Sequence, residues 1–215
     1  MRTQKIEIYK FNELSEDAKE TARAWYREGG FDYPWYDYVY EDVNTIAGLF
    51  GLEINTRDIP LVSEKTIKEP CIYFRGFSSQ GDGACYEGLY EYKKGGLKAV
   101  KDYAPVDTEL HSIAADLQAI QRRYFYGIKA STKHSGMYYH EYCMNVDADF
   151  FHPQGGYDYS LAVEDHDAIT DALRRFAKWI YKQLESSFDS MNTDEASDEM
   201  LEINEYEFTA DGNIY

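Results

Sequence analysis

Residues 71–92 read CIYFRGFSSQGDGACYEGLYEY, and the division of this stretch decides the fold class. Cys71 to Phe77 and Ala84 to Tyr92 are rich in aromatic and branched residues, which suit a pleated, half-buried surface. Between them SSQGDG carries Gly81, Asp82 and Gly83. Glycine supplies positive φ at no steric cost, and aspartate bonds its own nearby backbone, so both are turn formers. The stretch predicts two neighbouring strands joined by a tight turn, with Gly81 or Gly83 at positive φ.

Upstream, residues 4–11 (QKIEIYKF) alternate apolar and polar and predict an opening strand. Ser15, followed by Glu16 and Asp17, caps a helix from about 15 to 28 that Gly29 and Gly30 close. Ala18, Ala22 and Trp25 form its inner face. A second helix begins near Pro34, with Val39, Val43, Ile46 and Phe50 at spacings of 4, 3 and 4. Leu52 to Asn55 reads as a strand. Downstream come a short helix over 97–103 and a longer one over 107–125, with Leu110, Ile113, Ala114, Leu117 and Ile120 inward. Residues 126–133 and 137–147 predict a strand pair turned at His134, Ser135 and Gly136. A long helix over 164–188 repeats Ile169, Leu173, Phe176, Ile180 and Leu184. A short acidic helix and a terminal strand or hairpin in EFTADGNIY (207–215) complete the chain. Strands and helices that do not alternate strictly favour α+β: an antiparallel sheet with several packed helices in a single compact domain. Its body is 1–190, with the acidic helix and strand of 191–215 packed on it.

Composition narrows the function classes. The 215 residues carry 22 basic and 39 acidic side chains, a net charge of −17. From Glu141 onward there are 18 acidic and 4 basic residues, net −14, against 21 and 18, net −3, before it. From Glu185 onward there are 10 acidic residues and no basic one. Such an end repels nucleic acid and anionic lipid, so direct nucleic-acid and membrane binding are disfavoured. No apolar run reaches signal-peptide or membrane-span length. Three cysteines without a CxxC pair fit free thiols in a reducing cytoplasm. The aromatic content is 16%, led by 21 tyrosines, whose large area and polar tip suit a recognition surface as well as a core.

The search for chemistry yields no named reaction. Gly81-Asp82-Gly83 lacks phosphate-loop spacing and precedes a strand. The histidines at 111, 134, 140, 152 and 166 show no HExxH or Cys/His zinc spacing. No cofactor, metal ligand or catalytic residue is assigned. An enzyme with an unfamiliar site near Gln80, Asp82 and the histidines is one alternative. The expected partner-binding residues are the aromatics Tyr33, Trp35, Tyr36, Tyr38 and Tyr40, too many for one helix face, and the acidic Glu195, Asp198, Glu199 and Glu202.

The opening MRT…YKFNELSEDAKETARAWYRE and the later YFRGFSSQGDGACYEG (73–88) resemble an uncharacterised family encoded in phages and prophages, whose members are often labelled "antitoxin of toxin-antitoxin stability system". The Phe-Ser-x-Gln-Gly-Asp-Gly run, here Phe77 to Gly83, is its more specific mark, and the resemblance covers about the first 90 residues. It implies a phage accessory protein that acts in the host cytoplasm by binding and inhibiting a bacterial defence or toxin protein or complex. DNA mimicry is a special form of that expectation. At one charge per roughly 1.7 Å of duplex, 17 charges span about 29 Å, within the roughly 44 Å breadth of a domain this long. The C-terminal run alone, at one charge per roughly 4.6 Å of helix, is too dilute. Mimicry therefore needs several converging elements or a homodimer.

Overall fold

The computed structural model describes residues 5–29, 34–60, 66–151 and 160–215. The chain divides into two compact units, one made of residues 1–37 with 185–215 and the other of residues 38–184. The sequence predicts one domain.

In chain order the first elements are β1 (Tyr9–Lys10), α1 (Glu16–Glu28), α2 (Asp37–Phe50) and β2 (Leu52–Ile54). Next come β3 (Thr56–Pro60), β4 (Thr66–Pro70), β5 (Ile72–Arg75), β6 (Gly83–Tyr86) and β7 (Gly88–Glu91). Then follow α3 (Gly96–Tyr103), α4 (Thr108–Arg123), β8 (Ile128–His134) and β9 (Met144–Phe150). The chain closes with α5 (Val163–Met191), α6 (Asp194–Ile203) and β10 (Glu207–Phe208). Every strand pairing is antiparallel, so the α+β class read from the sequence is the observed one.

The terminal unit forms because two helices each offer one apolar stripe. Ser15 caps α1 by accepting from the Ala18 amide, and Thr193 caps α6 by accepting from Ala196. Ala18 and Ala22 of α1 meet Leu201 of α6, and Phe11, Leu14 and Phe208 complete the core. Phe208 belongs to β10, which pairs with β1. The expected opening strand shortens to Tyr9–Lys10, and Ile6 and Ile8 are exposed, because the chain turns into a 3-10 helix at Phe11.

In the central unit the order β2-β7-β8-β9 makes a four-stranded sheet, and β3-β4 and β5-β6 pair separately. Strands 52–60, 66–75 and 83–91 each change partner at one residue: Asn55, Cys71 and Glu87. There the backbones close a ring, with the Asn55 amide donating to the Glu87 carbonyl (2.8 Å), Cys71 to Asn55 (2.7 Å) and Glu87 to Cys71 (2.9 Å). No backbone group is stranded where the three strands part. The predicted pairing of 71–77 with 84–92 is present as β5 against β6, with Ile72 opposite Tyr86 and Gly81 at φ 93°. Past Glu87 the same strand passes into the four-stranded sheet as β7.

The inward stripes of α2, α4 and α5 read from the sequence are all buried. Phe176 of α5 sits edge-on to Phe50 and Tyr86, with ring centroids 5.0 and 5.7 Å away. Burying a side chain such as Leu173 or Ile180 completely contributes about 1.5–3 kcal/mol. Several polar groups admitted to this core are paired. The Tyr86 hydroxyl donates to the Leu173 carbonyl (3.0 Å), and the Gln121 amide spans both backbone groups of Ile128. Asp107 caps α4 through the Leu110 amide and accepts from the Trp179 indole at 2.7 Å.

Candidate functional site

Of the aromatics expected to bind a partner, Tyr33 lies outside the described residues. Trp35 and Tyr36 are half-buried and pack on each other, and Trp35 also meets Phe188, at 5.7 and 5.8 Å between centroids. Tyr38 is 58% exposed. Tyr40 corrects the expectation: it is 5% exposed, and its hydroxyl donates to the Ile72 carbonyl at 3.2 Å. It shares a face with Val43 one turn on and Ala47 two turns on, so helical spacing turns it into the core.

The four acidic residues all stand on α6 but separate into two roles. Glu195, Glu199 and Glu202, at spacings of 4 and 3, form one exposed stripe. Asp198 faces α1, where the Arg23 guanidinium grips both carboxylate oxygens at 2.6 and 2.7 Å. That hydrogen bond raises the Arg23 pKa above its already high ordinary value. Arg27 donates to Asp194 one turn away and lowers the Asp194 pKa. Sequence reasoning passed over this pairing, although Arg23/Arg27 and Asp194/Asp198 are both spaced by four on amphipathic helices.

The terminal unit holds 18 acidic and 6 basic residues, net −12 of the chain's −17. Four of its five described cations are engaged: Arg23 and Arg27 as above, Lys19 with Glu16, and Lys10 with Glu207 at 3.6 Å. Beside the acidic stripe, Glu202 and Glu205 rim a hollow of about 220 Å³ whose apolar walls are Phe11, Leu201 and Tyr206, with Lys10 at its edge. Carboxylates above an aromatic and aliphatic floor suit the charged head and hydrocarbon stem of a lysine or arginine.

The Phe77 to Gly83 run is built as a closed loop. The Asp82 carboxylate accepts from the amides of Ser78 (2.9 Å) and Ser79 (2.6 Å), and a Cβ on Gly76 would lie 2.6 Å from it. Phe77 stacks on Phe74 and Tyr181. Gly83 passes against the backbone of Tyr139 and His140, where a Cβ would come within 3.1 Å. Asp82 is thus committed to holding the loop. Cys85, next along β6, is fully buried, and burial pushes its thiol up to about 12, far from a reactive thiolate.

The expected strand over 137–147 begins only at Met144, so His134 and His140 do not face each other across a ladder. The His134 ring nitrogen lies 3.1 Å from the Tyr138 carbonyl, and its ring packs on Tyr73 and Tyr139. His140 accepts from the Tyr142 amide. Among the described residues no group of three His, Cys, Asp or Glu side chains is placed to hold a metal ion. Nor is any helix long and apolar enough to cross a membrane.

Fold and surface together define an α+β protein whose central antiparallel sheet and helices carry the bulk of the core and whose terminal unit carries most of the charge. The chain belongs to the family described as Domain of unknown function (DUF8835), whose model matches residues 35–194. That span contains the whole central unit and ends one residue before Glu195. No curated protein and no solved structure matches the chain.

Proposed function

We propose that the protein acts by binding, and that its acidic terminal unit captures a basic surface on another protein. In keeping with the resemblance of its first 90 residues, the partner is a bacterial toxin, defence protein or complex that is inhibited while bound. One observation carries this reading: Arg23 and Arg27 are spent on Asp198 and Asp194, while Glu195, Glu199 and Glu202 face outward beside a hollow suited to a cationic side chain. Internal pairing fixes the two helices, and the outward carboxylates are left for steering and specificity. A DNA-mimic variant is less favoured, since three charges over seven residues of helix give one per about 5 Å, against 3.4 Å along a single DNA strand.

The test is affinity capture of the tagged whole protein from a bacterial lysate, followed by association kinetics with whatever is retained in stoichiometric amount. Association should slow between about 0.05 and 0.5 M salt as the Debye length contracts. The combined substitution Glu195→Gln, Glu199→Gln and Glu202→Gln should slow it further and leave dissociation nearly unchanged. An association rate indifferent to both salt and the triple substitution would place binding elsewhere. Displacement of the partner by duplex DNA would favour the mimic.

A further inference from the structure

We propose that the protein associates with a second copy of itself, the basic aromatic end of the central unit on one molecule docking on the acidic face of α6 on another. Resting on the reading of α6 as a surface for cations, this makes the chain's own basic end one of its ligands.

That basic end is an anomaly in an acidic chain. Residues 91–102 carry four lysines against Glu91 and Asp102, and residues 118–130 carry three cations and no acid, a local +5 where the remainder holds −22. The two segments are neighbours in the fold. Glu91 stands opposite Lys129 on the β7-β8 ladder, and the rings of Tyr92 and Tyr126 lie with centroids 4.3 Å apart. Some of these cations are already used: Lys129 pairs with Glu91, Arg123 with Asp165 and Lys98 with Asp102. Lys94, Lys101 and Arg122 are exposed and form no ion pair among the described residues.

Past the end of α4 the backbone holds Phe125 at φ 50° and Tyr126 at φ 64°, a left-handed conformation that glycine or asparagine normally fills. The Tyr126 and Gly127 amides fix it by donating to the Gln121 and Tyr124 carbonyls at 2.8 and 2.9 Å. Both rings are exposed as a result, Phe125 by 68%, and they form an apolar spot among the cations. Backbone strain of this kind collects where a protein makes its functional contacts.

The outer face of α6 is the complement in both respects. Glu195, Glu199 and the 64% exposed Ile203 follow at successive turns, with Glu202 beside them. Three outward carboxylates answer three uncommitted cations, and Ile203 answers the exposed rings. The hollow beside Glu202 seats the stem of one lysine or arginine. A nucleic-acid strand brings a charge about every 3.4 Å, more than three free cations can answer on a chain whose remainder repels it. The ten residues of α6 span about 15 Å, so the contact falls below the standard interface of about 1,600 Å² and the association is weak.

Sedimentation velocity of the whole protein, over about a hundredfold range of concentration and at about 0.05 and 0.5 M salt, tests it. The sedimentation coefficient should rise with concentration at low salt and stay flat at high salt. Lys94→Glu with Arg122→Glu should abolish the rise, and so should Glu199→Lys with Glu202→Lys in a separate chain. All four positions are exposed, so thermal midpoints should hold in both variants. Mixing the two variants should restore association, because each reversed surface then meets one of opposite sign. A flat coefficient for the unaltered protein at low salt overturns the proposal and leaves capture of another partner to its own test. Failure of two stably folded variants to associate on mixing also overturns it. So does saturable binding of a fluorescent single-stranded oligonucleotide that Lys94→Glu with Arg122→Glu removes, which would assign the basic end to nucleic acid.

Discussion

Arg23 grips Asp198 with two nitrogens of its guanidinium, at 2.6 and 2.7 Å, across 175 residues of sequence. The side chains are 11% and 32% exposed, so solvent replaces this contact poorly. Asp198→Ala would leave a largely buried guanidinium short of its main acceptor, at a cost of about 1–3 kcal/mol. Arg23→Met with Asp198→Leu together should cost less than the sum of the two single changes. Amide hydrogen exchange in α1 reports the effect, and additive losses would show that the pair is not coupled.

Acid should loosen the terminal unit first. The Arg27 hydrogen bond lowers the Asp194 pKa, and the Thr209 hydroxyl lowers that of Asp211, both from 3.8. A carboxylate depressed on folding contributes stability above its unfolded value and loses it as pH falls through the lower folded value. Urea midpoints measured from about pH 5 down to pH 2 should therefore fall, most steeply below about 4. Asp194→Asn with Asp211→Asn should flatten that fall. An unchanged slope would remove these residues from the account.

The sequence showed the helices of this fold clearly and its strands unevenly. Periodicity located α2, α4 and α5 because each buries one stripe, and every residue assigned to those stripes is buried. The β3-β4 ribbon left no such mark. TRDIP and TIKEP are exposed along most of their length, and without a buried face there is no alternation to read. Tyr40 reads as surface from the sequence because composition does not register which way a helix turns a tyrosine. The Arg23–Asp198 fork joins opposite ends of the chain, and a spacing of four on each helix does not reveal its partner.

Asp82 provides a test between loop architecture and catalysis. Its carboxylate accepts from two loop amides, and Gly76 leaves it room. Asp82→Ala should cost about 1 kcal/mol in this solvent-exposed loop. Asp82→Asn should cost less, because its amide oxygen still accepts. Any loss of cellular effect should track thermal stability across both variants. Equal and complete loss in two fully stable variants would instead point to catalysis.

The cysteines should differ sharply in reactivity. Cys71 and Cys85 are buried and Cys143 is half-buried. Iodoacetamide at about pH 8, near the ordinary thiol pKa, should label Cys143 first in the native protein, with the other two following only on unfolding. Mass spectrometry of peptides distinguishes the three sites. Early labelling of Cys85 would contradict a thiol pushed up to about 12 by burial.

The ring of Asn55, Cys71 and Glu87 bears on the order of folding. The β3-β4 and β5-β6 pairings join segments close in sequence and need only short loop closures, whereas β2 must find β7 across a much longer separation. Each ring bond joins two of the three strands, so the circuit completes only when the slowest pairing has arrived. Completion then acts as a checkpoint: a hairpin formed out of register leaves the circuit open and can still dissolve. Pulse-labelled hydrogen exchange during refolding should find the amides of Asn55, Cys71 and Glu87 gaining protection in one phase, after those inside the two local hairpins. Protection of the three in separate phases would mean that the ring merely decorates a sheet already assembled.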